Sequence, residues 1–431
     1  MQSLKGLLVL LFVLLWTSTW ARAQQTQPSF LIVVLDDVGW EDVSTLPLPN
    51  LQTYAPLARV YTNAFGCPVC SPSRVGMLSG TYPHRAFVGT ALNAASTVEK
   101  GMPVAWKTVP EVLAANGYST ALFGKCHVSS SGELNTAEMA RVHGFETWRA
   151  GVVSNIIAPQ SHYNWTRVDD GKTTTSTTYS TTAVFNETCA WWAATPGPKF
   201  AVCAPLAPHE PFEEPPANTL PPGYVIGTSN RAKYEAALIG LDWHLSSLLT
   251  TLDLSTTHVI VVSDNGTAHQ VPPPMGQSPG YKLTQYQGGV NVPLLWWGPG
   301  VLPGADSSLL HTMDLAGTVL ELCSVTPAAG FEDTISFFDT LTGGPGRRQH
   351  AYLARFDPNT GTAAALTIDN WSVVREDGWK LVRQGSVYRL FNLSNDPWEQ
   401  GGFGPNGPGL AGVTADLLNY RAQVLGPNWP Y

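Results

Sequence analysis

The chain has 431 residues, of which 44% are hydrophobic and 10% aromatic, enough to bury one large core and a smaller second one. Its formal charge is −8, with only 24 Lys plus Arg and no basic run. That balance excludes the concentrated basic face that neutralises phosphates, so no nucleic-acid partner is expected.

Residues 1–23 read as a secretory signal. Lys5 supplies the positive start, "GLLVLLFVLLW" the apolar stretch, and Ala21-Arg22-Ala23 a small-x-small cleavage site, so the mature chain is expected from Gln24. The apolar run is about half the ~20 residues that a membrane anchor needs, and no span is expected after cleavage. The expected compartment is the secretory pathway, with an extracellular, periplasmic or lysosomal destination. In such a protein Cys67, Cys70, Cys126, Cys189, Cys203 and Cys323 allow up to three disulfides. Sequons at Asn164, Asn186, Asn370 and Asn392 are usable if the host glycosylates.

"SFLIVVLDDVGW" is a continuous apolar run ending in Asp36 and Asp37, which suits a strand buried on both faces. In "CPVCSPSRVGMLSGTYPHR", Ser71 is a good N-cap, Pro72 a good first helical residue and Gly80 a good C-cap. A helix over 72–79 is expected, with Cys70 at its N-terminal mouth, where backbone N–H groups favour negative charge. Thr108 and Glu111 have capping-box spacing for "EVLAANG", which leads into the strand "YSTALF" and then Gly124-Lys125. "DDGKTTTSTTYSTT", residues 169–182, reads as a surface loop.

The strands "KFAVCAPL" and "HVIVVS" run into Pro208-His209-Glu210 and Asp264-Asn265-Gly266, with the amphipathic helix "YEAALIGLDWHLSSLL" between them. Alternating strands and helices predict an α/β fold: a large, mainly parallel sheet sandwiched by helices. Ligands bind such a sheet beyond the strands' carboxyl ends. After the Gly/Pro-rich joint "LTGGPGRRQH", the stretches "WSVVRED", "GWKLVRQ" and "SVYRLFNLS" predict a smaller antiparallel-sheet subdomain, closed by the helix "TADLLNYRAQVL". The expected division is 1–23 signal, 24–340 catalytic domain and 341–431 C-terminal subdomain.

Taken alone, Cys67-Pro68-Val69-Cys70 fits a redox pair, a zinc half-site or a structural thiol. None of these explains Pro72 and Arg74 at their fixed offsets. "CSPSR" followed by "MLSGTYPHR" resembles the type I sulfatase signature Cys-x-Pro-x-Arg with its trailing Ser/Thr-Gly-x-Tyr-Pro. The resemblance extends to "LIVVLDDVGWEDV", "NGYSTALFGKCH", "APHEPF", "VIVVSDNG", "YKLTQYQGGVNVPLLWWGPG" and "VYRLFNLSNDPWE", in the order of that family, which belongs to the alkaline-phosphatase-like superfamily.

The resemblance implies a sulfate-ester hydrolase in which a formylglycine-generating enzyme converts Cys70 to formylglycine during export. Asp36, Asp37, Asp264 and Asn265, together with residue 70, would hold a divalent cation. An all-oxygen anionic set suits Ca²⁺ more readily than Mg²⁺. Arg74 would help to activate the hydroxyl of hydrated formylglycine that attacks sulfur. Lys125, His209 and Lys282 would clamp the sulfate, with His209 or Lys282 protonating the leaving group and His127 taking a proton from residue 70. The substrate would be an aryl or carbohydrate sulfate, either a small molecule or a glycan. Low basic content disfavours a heavily sulfated polymer.

Specificity is expected in loops 85–100, 128–175 and 210–230 and in the C-terminal subdomain. His84, Arg85 and His244 read as structural. Cys126 stands where the family has an aromatic residue, and Gln287 and Asn291 stand where it often has Glu and Arg, which removes an expected ion pair beside Gly288-Gly289. Two other readings stay open: a phosphate-ester or phosphonate hydrolase with unmodified Cys70, and a non-catalytic glycan-binding relative.

Overall fold

A computed structural model describes residues 27–132, 134–271, 280–361, 366–427 and 429. The expected signal over 1–23 lies outside the described residues. At the centre is the strand Ser29–Leu35, whose side chains alternate between two cores. Phe30, Ile32 and Val34 enter one cluster, while Leu31, Val33 and Leu35 enter the other. Period-two alternation with both faces apolar is what a sheet covered by helices on each side demands. Each such side chain, fully buried, contributes about 1.5–3 kcal/mol relative to exposure.

Ser29–Leu35 pairs in parallel with Thr257–Ser263 on one side and Lys199–Ala204 on the other. The parallel run continues through Ser119–Lys125 to Thr147–Val152. Leu294–Trp297 joins the opposite side antiparallel, and the complete sheet has ten strands. Its outermost pair is the hairpin of Trp165–Asp169 and Lys172–Ser176. The loop expected over 169–182 is therefore corrected: its polar residues form an exposed edge strand, and Ser180 opens the helix Ser180–Ala194. Thr tolerates an edge strand because its branched side chain suits the pleat while its hydroxyl stays wet.

A second sheet of four antiparallel strands, His350–Asp357, Ile368–Arg375, Trp379–Gln384 and Val387–Asn392, follows in simple meander order. The helix Ala411–Leu425 covers one face through Leu417 and Val424, packed with Trp371 and Leu381. Ala351, Leu353 and Val374 meet Phe65 and Val290 of the larger domain. The small sheet thus shares its core with the large one.

The fold bears on two possibilities that the sequence leaves open. All six cysteines are free, with Cys67, Cys70, Cys126 and Cys203 buried, so none of the three possible disulfides forms. Asn370 is buried in its strand, with its side-chain Oδ1 accepting from the Gly385 N–H at 2.7 Å and Ser372 fully buried, so this sequon is closed in the fold. Among the described residues no helix is long and apolar enough to cross a membrane.

Candidate active site

In the register of the two central strands Leu35 stands opposite Ser263, so the residues that follow, Asp36-Asp37 and Asp264-Asn265, emerge side by side. Gly124 stands opposite Ala204, which brings Lys125 and His127 towards the loop carrying His209. Facing these strand ends is the helix Cys70–Ser79, closed by Gly80 in the left-handed conformation. It starts two residues earlier than expected. Ser71 is not its cap: the Ser71 hydroxyl accepts the Leu92 N–H at 3.0 Å, tying the helix start to the loop 85–100. A side chain offered for local capping is here recruited by a distant donor.

All ten sequence-nominated residues are buried at this edge: Asp36, Asp37, Cys70, Arg74, Lys125, His127, His209, Asp264, Asn265 and Lys282, the last being the most open at 7% exposed. Asp37 and His127 have φ of 67° and 59°, a strained region for residues with a Cβ. Asp37 is held there by Asn265 Nδ2, which donates to its carboxylate at 2.8 Å, and by the Tyr234 hydroxyl, which donates to its carbonyl at 2.8 Å.

Opposite charges interleave. Lys125 Nζ lies 2.6 Å from Asp36, Lys282 Nζ 2.7 Å from Asp37, and the Arg74 guanidinium 2.8 Å from Asp264. Arg74 also donates to the Lys125 carbonyl at 2.9 Å, and His209 Nε2 is 3.7 Å from Asp37. Burial pushes Asp36 and Asp37 up, but Lys125 for the first and Lys282 for the second, with His209 next for each, hold both below the usual carboxylate range. Asp264 is pushed up to about 6 by burial and then by Asp36, against the pull of Arg74.

Burial, then Lys125, holds His127 well below the ordinary imidazole value, so its ring is neutral. Its Nε2–H donates to the Leu92 carbonyl at 2.8 Å, which leaves Nδ1 as an acceptor 3.3 Å from Cys70 Sγ. Burial pushes the Cys70 thiol up, so the sulfur keeps its proton. His209, pushed down to about 4 by burial and then by Lys282, donates Nδ1–H to the Glu210 carbonyl at 2.7 Å.

The donor set fits a hard cation. Asp36 Oδ1 and Asn265 Oδ1 are buried oxygens without a hydrogen-bond partner, an arrangement a cation would satisfy. Ligand atoms of Asp36, Asp37 and His209 lie within 4.8 Å of one another. Asp264 instead has one oxygen on Arg74, while its other accepts the Asp37 N–H at 3.4 Å.

Sequence reading passed over the supports of this site. His162 lies behind His209, with Nε2 at 3.2 Å from its carbonyl and Nδ1 at 2.6 Å from the Ser180 hydroxyl. The Leu92 carbonyl is a backbone group and leaves no trace in sequence. Of the histidines set aside, His84 is buried in a short turn, and His244 stacks on Phe185 with ring centroids 5.2 Å apart. Arg85 pairs with Asp333 at 2.8 Å. Cys126 lines a cavity of about 40 Å³ beneath the site, walled mostly by apolar side chains such as Phe145 and Phe200.

The family model described as "Sulfatase" matches residues 28–325. Human N-acetylgalactosamine-6-sulfatase is 28% identical over 367 residues, covering 74% of this chain and 66% of that protein; the canine protein of the same name is 27% identical, covering 87% and 77%. The chain thus spans about two thirds of the human relative's length. The crystal structure of Ps i-CgsB in complex with k-i-k-neocarrahexaose shares the fold, with a TM-score of 0.79 at 20% identity over 94% of each chain. A family match across most of the large domain, on a fold that gathers these acids, bases and cations at one sheet edge, means that the chain belongs to the sulfatase family of sulfuric ester hydrolases.

Proposed function

We propose that this chain hydrolyses the sulfate ester of a small or singly sulfated carbohydrate, with Cys70 converted to formylglycine and a divalent cation, Ca²⁺ before Mg²⁺, held by Asp36, Asp37, Asp264 and Asn265. The observation that carries the reading is Cys70 Sγ at 3.3 Å from the unprotonated Nδ1 of a neutral, buried His127. The modified residue and the cation together supply an oxygen nucleophile and a Lewis acid for the sulfuryl group.

The chain's own residues do the rest. Three carboxylates, Asp36, Asp37 and Asp264, face three fixed cations, Arg74, Lys125 and Lys282, so their formal charges cancel. A divalent cation and an anionic sulfate group then enter as partners, each offsetting the charge of the other. Lys125, Lys282 and His209 hold the sulfuryl oxygens. His127 Nδ1 accepts the proton released at residue 70. His209 or Lys282 protonates the leaving alcohol.

The carbohydrate class follows the named activity of the relatives, and the low basic content argues for few sulfates. A buried, protonated thiol is a poor nucleophile, which weighs against phosphate-ester hydrolysis by unmodified Cys70. The neutral base beside residue 70 weighs against a glycan binder without turnover. Mass spectrometry of the peptide spanning residue 70 tests the proposal: the converted residue has lost H₂S and gained O. Active enzyme with an intact Cys70 thiol would overturn it. The terminal stretch of the sequence further supports export as the route on which a formylglycine-generating enzyme meets the chain.

A further inference from the structure

The loop carrying Lys282 is tied to the small C-terminal sheet at every second residue. The Leu283 carbonyl accepts from Arg355 Nη1 at 3.0 Å, and Leu283, at φ 81°, donates its N–H to the Pro68 carbonyl at 2.7 Å. Gln285 makes three contacts: its N–H donates to the Gln384 side chain at 3.2 Å, its Nε2 to the Asn370 carbonyl at 3.1 Å, and its Oε1 accepts from the Ser372 hydroxyl at 3.2 Å. The Gln287 N–H donates to Glu399 at 2.6 Å, and Gln287 Oε1 accepts from Lys380 Nζ at 3.2 Å. Lys380 and Glu399 in turn form an ion pair at 2.8 Å, with both side chains fully buried.

On the other side the same loop meets the metal-side turn. Lys282 donates its N–H to the Thr267 carbonyl at 2.8 Å, and the Gly289 carbonyl accepts the Gly266 N–H at 2.9 Å. A buried ion pair adds little net stability, because desolvation offsets the attraction, but breaking it leaves an uncompensated charge, so the two partners stay together and hold what they touch. Gln287 matters here as an amide. It gives Lys380 a second acceptor without adding a second carboxylate to one ammonium, and it stands at the position where the resemblance leads one to expect Glu.

We propose that the C-terminal sheet, through Lys380, Glu399 and Gln285, sets the position of Lys282 and thereby the affinity of the site for a sulfate group. The inference rests on the reading that Lys282 holds sulfate. Lys380 is a positioning residue: it acts through the loop, and its recorded polar partners are Gln287 and Glu399.

The test is the binding of inorganic sulfate to the Ca²⁺-loaded enzyme, measured by competition against an aryl sulfate and by calorimetry. Lys380→Met is expected to weaken sulfate binding on the order of tenfold and to raise KM in step, with a smaller change in kcat. Lys380→Arg restores part of the loss. Leu381→Ala, in the core of the same sheet, lowers the melting temperature but leaves sulfate binding unchanged. If Lys380→Met does not fold, Gln285→Leu is expected to weaken sulfate in the same direction.

Normal sulfate binding by folded Lys380→Met or Gln285→Leu would overturn the proposal, as would an equal loss in Leu381→Ala. Lys282→Met separates the two levels. If it binds sulfate normally, the sulfate role of Lys282 falls, and the clamp with it. If it loses sulfate while Lys380→Met does not, only the clamp falls.

Discussion

Lys125 Nζ and Asp36 Oδ2 lie 2.6 Å apart with no solvent exposure on either side chain. Removing one partner of such a pair leaves an uncompensated buried charge. Lys125→Met is therefore expected to cost about 3–5 kcal/mol of stability in chelated protein. The loss should be smaller with Ca²⁺ present, since the cation takes over part of the neutralisation of Asp36. Chemical denaturation with and without chelator reads the difference. Equal losses in both conditions would contradict a cation at Asp36.

His127 faces residue 70 with a neutral acceptor nitrogen. His127→Ala is expected to lower kcat roughly a hundred- to ten-thousandfold, the range for loss of a positioned base, with KM little changed. Steady-state kinetics on an aryl sulfate checks this.

Cys70→Ser places an ordinary hydroxyl where the conversion cannot occur. With the clamp and cation intact, this variant is expected to accept a sulfuryl group and keep it, because a serine ester lacks the second oxygen needed to expel sulfate. Intact-protein mass spectrometry after incubation with substrate should show the added SO₃ without turnover. A variant that turns over, or one that never gains mass, counts against the assigned role of residue 70.

Asp264 is pushed up to about 6, burial being the largest cause. For a carboxyl raised above its ordinary value, the stability it contributes is present below that value and is lost as pH rises through about 6. A cation needs the ionised form, so Ca²⁺ restores what deprotonation removes. The rise in melting temperature caused by Ca²⁺ should be larger above pH 6 than below it. Melting curves on both sides, with and without Ca²⁺, decide the sign.

His84, His143, His244 and His258 are each pushed down to about 4, with burial the leading cause in every one. For groups held below their ordinary value of 6.5, stability is present above it and is lost as pH falls towards 4. Unfolding in this window takes up protons at all four rings. A melting temperature that stays flat between these limits in chelated protein would contradict the assignment.

Much of this site was legible because chemistry and secondary structure coincide at strand ends. Apolar runs such as "LIVVL" and "VIVVS" stop abruptly at Asp36 and Asp264, and a doubly covered sheet places such stops at one edge. What escaped was chemistry without a side-chain signal. The Leu92 and Glu210 carbonyls fix the tautomers of His127 and His209, and any residue type could supply them. The hairpin at 165–176 escaped because Thr-rich polar sequence serves an edge strand and a loop equally well. The strand His350–Asp357 lay partly hidden behind the Gly/Pro joint that precedes it. Lys380 lies in the strand stretch "GWKLVRQ" and Glu399 closes "VYRLFNLSNDPWE", but only the packing of the two sheets reveals that the two charges are enclosed together.

The complete enclosure of Cys70, at 0% accessible surface, carries a consequence for biosynthesis. Under the proposed conversion, a formylglycine-generating enzyme has to grip the chain around Cys70, which a sulfate group does not, so it is expected to act while the polypeptide is still open. On that reading, molecules that collapse first are expected to stay unconverted, and the specific activity of a preparation records a race between tailoring and folding.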